Sequence, residues 1–349
     1  MAEVLGAILL AVLTLYAVLA GADFGGGLWD LLAGGEQRGR APRRLIDETI
    51  TPVWEANHVW LIFALVIFWT GFPTAFAAVM TAAALPLWLA ALGIVLRGAG
   101  FAFRKEVQGG RAEQPLGAVF AISSLLTPFF MGTVVGAVAA GRIALGARHT
   151  TLSVWTNPTS LLVGGLFVAV CAYLAAVYLI GEAIAREDQP HARYFSRRAA
   201  GAGTLAGALS LAALAELRHS DHALFHQLTG RALALVLLAG ACGLGVLALL
   251  ALARTRGLRA LGRARGLRAL AALGVAAVIW GWGVAQKPAL LPRTGLTLAD
   301  GAAPHGTLVA LVGVFIAAVL LVGPSLMLLF WLHGRRLLDG GGADRGTHR

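Results

Sequence analysis

Apolar residues fill nine stretches of the chain, separated by short polar breaks. They run roughly over residues 4–22, 52–70, 74–97, 116–140, 159–183, 198–217, 230–253, 269–286 and 306–333. A bilayer core about 30 Å thick takes about 20 helical residues, so each stretch is read as a membrane-spanning helix and residues 1–349 as a single membrane domain. Helices that are apolar on every side have no water-facing stripe, which suits lipid or a packed bundle. The breaks carry their own signals. Gly71-Phe72-Pro73 predicts a tight turn between the second and third spans, Pro86 a kink in the third and Pro128 a kink in the fourth. Asn157-Pro158 predicts a capped start to the fifth span. The segment with Lys287-Pro288 and Pro292 is too irregular to be helical throughout. The run Gly21-Ala22-Asp23-Phe24-Gly25-Gly26-Gly27 is expected to end the first span and to let helices approach closely. That span carries Glu3 and has no positive segment before it, so it reads as a retained helix rather than a secretory signal.

Composition agrees. With 58% hydrophobic and 13% charged residues and a mean hydropathy of +0.78, a soluble protein is excluded. The formal charge of +11 does not indicate nucleic acid, because the basic residues sit in the breaks between spans. Assigning alternate breaks to alternate sides places 22 of the 28 Lys and Arg on one side. Positive charge collects in the cytoplasm, so the C-terminus is expected inside and the N-terminus outside. Arg38, Arg40, Arg43 and Arg44 read as solvated topology charges, and the loop from Arg254 to Arg268 as topology plus contact with anionic membrane lipid. Cys171 and Cys242 each lie inside an apolar run and indicate neither a disulfide framework nor a zinc site.

The chemistry-bearing stretch is Thr51 to Leu61. Thr51 and Pro52 suit the cap and first position of a helix, which puts Glu55 in the first turn, with His58 on the same face and Asn57 pointing elsewhere. An ionisable group entering hydrocarbon is costly unless it serves a path, a partner or a cofactor. Asp23 lies at the inner end of the first span, on the side where Glu55 begins the second. Arg97, closing the third span, either snorkels to the headgroups or neutralises Glu55 or Asp23. Glu182 reads as a boundary residue. Glu216, His219, Asp221, His222 and His226 crowd one exposed turn, a weak metal signal, and no metal site is expected there. Glu55-x-x-His58 and Glu216-x-x-His219 share the pattern of di-iron bundles, but the expected topology sets them about 30 Å apart across the bilayer.

In order along the chain, these residues resemble subunit II of the cytochrome bd quinol oxidases. Gly21 to Gly27 is similar to that family's Gly-Phe-Asp-x-Gly-x-Gly, and Pro52-Val53-Trp54-Glu55-Ala56-Asn57-His58-Val59-Trp60-Leu61 to its Pro-x-Trp-Asp-Gly-Asn-x-Val-Trp-Leu. Phe72-Pro73, Arg97 with Gly100-Phe101, and Pro288 to Pro292 followed by Leu296-Thr297-Leu298 fall in the family's order. The resemblance implies an all-α fold of nine transmembrane helices, two four-helix bundles plus one peripheral helix. It implies a respiratory terminal oxidase of the bacterial inner membrane that couples quinol oxidation to reduction of oxygen to water. The partner, subunit I, would hold two b-type haems, one d-type haem and the quinol site, and this chain would ligate no haem or metal and hold no catalytic residue. A small accessory subunit is left open. By position, Glu55 takes the role of the acid at the mouth of a cytoplasmic proton route, joined by Asp23, with Trp54, Asn57, His58 and Arg97 in support. The chain departs from the family in having Glu55 for Asp, Ala56 for Gly, and Ala20 where many members carry a second acid. The alternative is an ion-coupled transporter with Asp23 and Glu55 as ion ligands.

Overall fold

A computed structural model describes residues 1–50, 54–106, 113–256 and 264–334. Thirteen helices and no named strand occur among them. They are α1 (Ala2–Leu31), α2 (Glu36–Ile50), α3 (Trp54–Gly71), α4 (Pro73–Ala82), α5 (Ala84–Glu106), α6 (Glu113–Ala139) and α7 (Leu152–Trp155). There follow α8 (Pro158–Ala185), α9 (Gln189–Ser220), α10 (His222–Thr229), α11 (Leu233–Arg256), α12 (Ala264–Gln286) and α13 (His305–Gly334). Among the described residues seven helices are long and apolar enough to cross a membrane, or eight if α3 and α4, bent by 117°, count as one. The chain is therefore an all-helical polytopic membrane protein. Asn157 caps α8 as expected, accepting from the Ser160 amide at 3.0 Å with Pro158 behind it. Residues 287–304, between α12 and α13, carry no helix.

Three expectations are corrected. The glycine run does not end the first span, because α1 continues through it to Leu31. Glycine costs a helix little when its missing side chain is what allows a neighbour in, and unpaired backbone in hydrocarbon would cost more. A Cβ on Gly25 would sit 1.9 Å from the Cys171 carbonyl oxygen of α8, and one on Gly27 would sit 2.2 Å from the Ser124 hydroxyl of α6. The third span breaks at Ala83, between α4 and α5, rather than kinking at Pro86. Pro86 falls in the first turn of α5, where a missing N–H has no intrahelical partner to lose. The loop with Arg38 to Arg44 is the helix α2, whose Leu45 and Ile46 are buried while Arg38, Arg40 and Arg44 face outward.

Two apolar cores share α1. One gathers its N-terminal half with α3, α4, α6 and α13, and the other its C-terminal half with α2, α8, α9, α11 and α12. Tyr16, Ala20, Phe24 and Cys171 pack between them. Ionic contacts cluster at both ends. At one end Asp30 meets Arg43 at 3.1 Å, Glu48 meets Arg44 at 2.7 Å and also Arg186, and Glu182 meets Arg186 at 3.0 Å. At the other, Lys287 meets Glu3 at 3.2 Å and Arg293 meets Asp221 at 3.4 Å.

Candidate functional site

The site is built where α1, α5 and α6 meet. Asp23 and Arg97 are 4% and 3% exposed. Arg97 Nη2 donates to Asp23 Oδ1 at 2.7 Å and Nη1 to Oδ2 at 2.8 Å, a forked pair, and Nη2 also reaches the Asp23 carbonyl at 3.0 Å. Nε donates to Ser124 Oγ at 2.8 Å, which itself donates to the Phe120 carbonyl at 2.6 Å. The guanidinium carbon lies 5.0 Å from the Phe24 ring centre and 4.8 Å from that of Phe120. Removing two charges from water costs several kcal/mol per ion, offset only when the geometry is good and the remaining donors are satisfied. Here the geometry is forked, and four of the five guanidinium N–H groups have a partner.

The glycines make this geometry possible. Gly27 admits Ser124, and on α5 a Cβ at Gly93 would sit 2.2 Å from Thr127 Oγ1 of α6. Close α1–α6 and α5–α6 contact lets Arg97, one turn beyond Gly93, reach across to Asp23. The expectation that Arg97 snorkels is thus corrected in favour of its alternative, neutralisation of Asp23. Sequence reading missed Ser124, Phe24 and Phe120 as partners. Their one signal is Ser123-Ser124 followed by Thr127, polar residues inside an apolar span.

The remaining residues lie along α3. Its backbone begins at Trp54, and the side chains of Trp54 and Glu55 lie outside the described residues, as do Thr51 and Pro52. His58 is half-buried and within electrostatic reach of both Asp23 and Arg97. Asn57 is 1% exposed, and neither end of its amide has a hydrogen-bond partner among the described residues. A buried amide without partners costs about 1–3 kcal/mol. The structure thus brings Asp23 and Arg97 into contact and leaves His58 within electrostatic reach of both, with Asn57 beside it on the chain.

Elsewhere, Asp221 caps α10 by accepting from the Leu224 amide at 3.0 Å, and His219, His222 and His226 are exposed. Among the described residues no group of three His, Cys, Asp or Glu could hold a metal ion. Of the described histidine side chains His58 lies in the first turns of α3, while His191, His219 and His305 sit at the ends of α9 and α13. That donor set does not fit a haem held within this chain, since an axially ligated iron needs strong ligands facing the pocket. The transporter reading also weakens, because both Asp23 oxygens are already taken by Arg97. Outside the membrane, the hydrogen bond from Arg44 and then that from Arg186 hold the Glu48 carboxyl below the usual carboxylate range, against some burial.

The family model described as cytochrome bd terminal oxidase subunit II matches residues 1–333. The chain is 28% identical over 198 residues to cytochrome bd ubiquinol oxidase subunit 2 of Bacillus subtilis, covering 56% of this chain and 57% of that protein. It is 26% identical over 171 residues to cytochrome bd-I ubiquinol oxidase subunit 2 of Escherichia coli K12, covering 47% and 44%. These matches span about half the length of the curated relatives. A chain of the bd oxidase from Geobacillus thermodenitrificans shares the fold at a TM-score of 0.72 and 23% identity, over 95% of this chain and 98% of that one.

Proposed function

Since the chain belongs to the cytochrome bd terminal oxidase subunit II family, we propose that it is the non-haem-ligating subunit of a bd-type oxidase in a bacterial inner membrane. The observation that carries this reading is the family match over residues 1–333. The complex oxidises quinol and reduces oxygen to water. Its partner is the haem-bearing subunit I, and haem there, two b-type and one d-type, supplies the electron transfer and oxygen chemistry. The fold is nine transmembrane helices in two four-helix bundles plus a peripheral helix, with the N-terminus outside and the C-terminus in the cytoplasm. The two apolar cores sharing α1 and the charge split between the breaks support that layout.

This chain contributes a proton entrance at its cytoplasmic face. Glu55 is the exchanging acid. Asp23 takes part as a fixed anion, because the forked pair with Arg97 occupies both its oxygens and a neutral Asp23 would leave a buried guanidinium uncompensated. Asn57 and His58 line the way with Trp54 in support, and the unpartnered amide of Asn57 suits a group that hydrogen-bonds to water. Expressed alone, the chain is expected to show no haem absorbance, whereas co-expression with subunit I gives a haem-loaded complex that consumes oxygen with quinol. A haem spectrum from the isolated chain, or quinol oxidation by subunit I unaffected by this chain, would overturn the proposal.

A further inference from the structure

At the end of the molecule that carries most of the arginines, a shallow, open groove of about 670 Å³ runs along α9 beside Arg254 of α11. Arg197 and Arg254 stand at its rim, and Ala200, Gly201, Thr204, Leu205 and Ala208 of α9 form its floor, with the Thr204 hydroxyl turned back onto the Ala200 carbonyl at 2.8 Å. Positions 197, 201, 205 and 208 recur at the helical period, so the floor is one continuous face running from the arginines toward the apolar middle of α9. The floor is open: Leu205 is 54% exposed, and nothing lies within 4 Å of the position a Cβ on Gly201 would take. Small residues leave a furrow there, and Leu205 gives it an apolar wall.

The rim sits where the hydrocarbon ends. The apolar run of α11 ends just before Arg254, the first charged residue after Leu233, and the apolar run of α9 begins just after Arg197 and Arg198. At this end Arg43, Arg44, Arg186 and Arg268 each have a carboxylate partner within 4.0 Å. Among the described residues Arg197 and Arg254 have neither an ion pair nor a hydrogen bond and are exposed. Two unpaired guanidiniums converge on a furrow whose lining holds no acid. Guanidinium donors match phosphate oxygens, while the absence of a carboxylate from the lining leaves nothing to receive the ammonium of a zwitterionic headgroup.

We propose that this groove binds one anionic phospholipid, its phosphate between Arg197 and Arg254 and an acyl chain along Ala200 to Ala208. Basic residues that merely mark the cytoplasmic face would act through the general attraction of the anionic leaflet, and their positions would be interchangeable. A seated lipid depends on these two positions and on the furrow below them.

The test is native mass spectrometry of the assembled oxidase complex released from vesicles of mixed phosphatidylcholine and phosphatidylglycerol. The wild type is expected to retain one phosphatidylglycerol that Arg197→Gln/Arg254→Gln loses. Gly201→Leu keeps both charges, fills the furrow from an open position, and is expected to lose the same lipid. Arg38→Gln/Arg40→Gln, which removes two exposed arginines of α2 at the same end, is expected to retain it. Retention of the lipid by Arg197→Gln/Arg254→Gln or by Gly201→Leu, or its loss from Arg38→Gln/Arg40→Gln, would overturn the proposal. So would a wild-type complex with no excess of phosphatidylglycerol over phosphatidylcholine, a result that needs no variant.

Discussion

Asp23–Arg97 and Glu48–Arg186 pair the same chemical groups in two settings. The first pair has side chains 3% and 4% exposed, with forked geometry, a serine on the remaining Nε and aromatic rings close by. The second has side chains 41% and 26% exposed, at the end of the helices, and Glu48 divides itself between Arg186 and Arg44. Exposed pairs contribute little, about 0–1 kcal/mol, because water and salt screen them. A buried pair gains no more when intact, but losing one partner strands a charge in hydrocarbon. What differs between the two regions is therefore the penalty for breaking the pair, and that penalty is what would keep Asp23 a fixed anion beside the proposed proton route.

Breaking the buried pair should have the largest effect. Arg97→Met leaves the Asp23 carboxylate among Phe24, Phe120 and Ser124 and is expected to cost about 3–5 kcal/mol, read as loss of assembled, haem-loaded complex. Removing both charges with Asp23→Leu/Arg97→Met should recover much of that assembly, since an apolar replacement of a buried pair is often neutral or better. A double variant no better than Arg97→Met would mean that the pair holds the helices together by more than its charges.

Breaking the exposed set should do far less. Glu48→Gln is expected to cost at most about 1 kcal/mol, and less in high salt. The pH dependence has a definite sign. Glu48 is held below its ordinary range by Arg44 first and Arg186 second, so its contribution is present above the unfolded glutamate value of about 4.3. It is lost as the pH falls through the lower folded value. Thermal melts of wild type and Glu48→Gln should therefore differ slightly near neutrality and converge in acid, and a gap that widens on acidification would contradict the assignment.

The same contrast shows what was legible in the sequence. Long apolar runs announce their helices directly, because a backbone in lipid has few alternatives to a helix. The placement of Asp23 and Arg97 at one level was also readable from the run boundaries. Their direct contact was readable only as one of several alternatives for Arg97, because it depends on Gly27 and Gly93 admitting Ser124 and Thr127, which are distances between helices rather than patterns along one. The glycine run was read correctly as a place of close approach and wrongly as an end. The helix α2 was hidden by its arginines, since Leu45 and Ile46, buried at 5% and 1% exposure, are short relief in a polar stretch. The break at Ala83 has no marker of its own, and Pro86 drew attention to a position three residues too late.

The central claim is a division of labour, with Glu55 exchanging protons while Asp23 stays fixed by Arg97. Oxygen consumption per haem in the purified complex tests it most directly, with Glu55→Gln and Glu55→Asp measured beside the wild type. Glutamine keeps the shape and most of the hydrogen bonding but has no exchangeable charge. Turnover is predicted to fall in Glu55→Gln at normal haem content and to be largely kept in Glu55→Asp, which retains the acid on a shorter stem. Unchanged turnover in Glu55→Gln at full haem occupancy would remove Glu55 from the proton route.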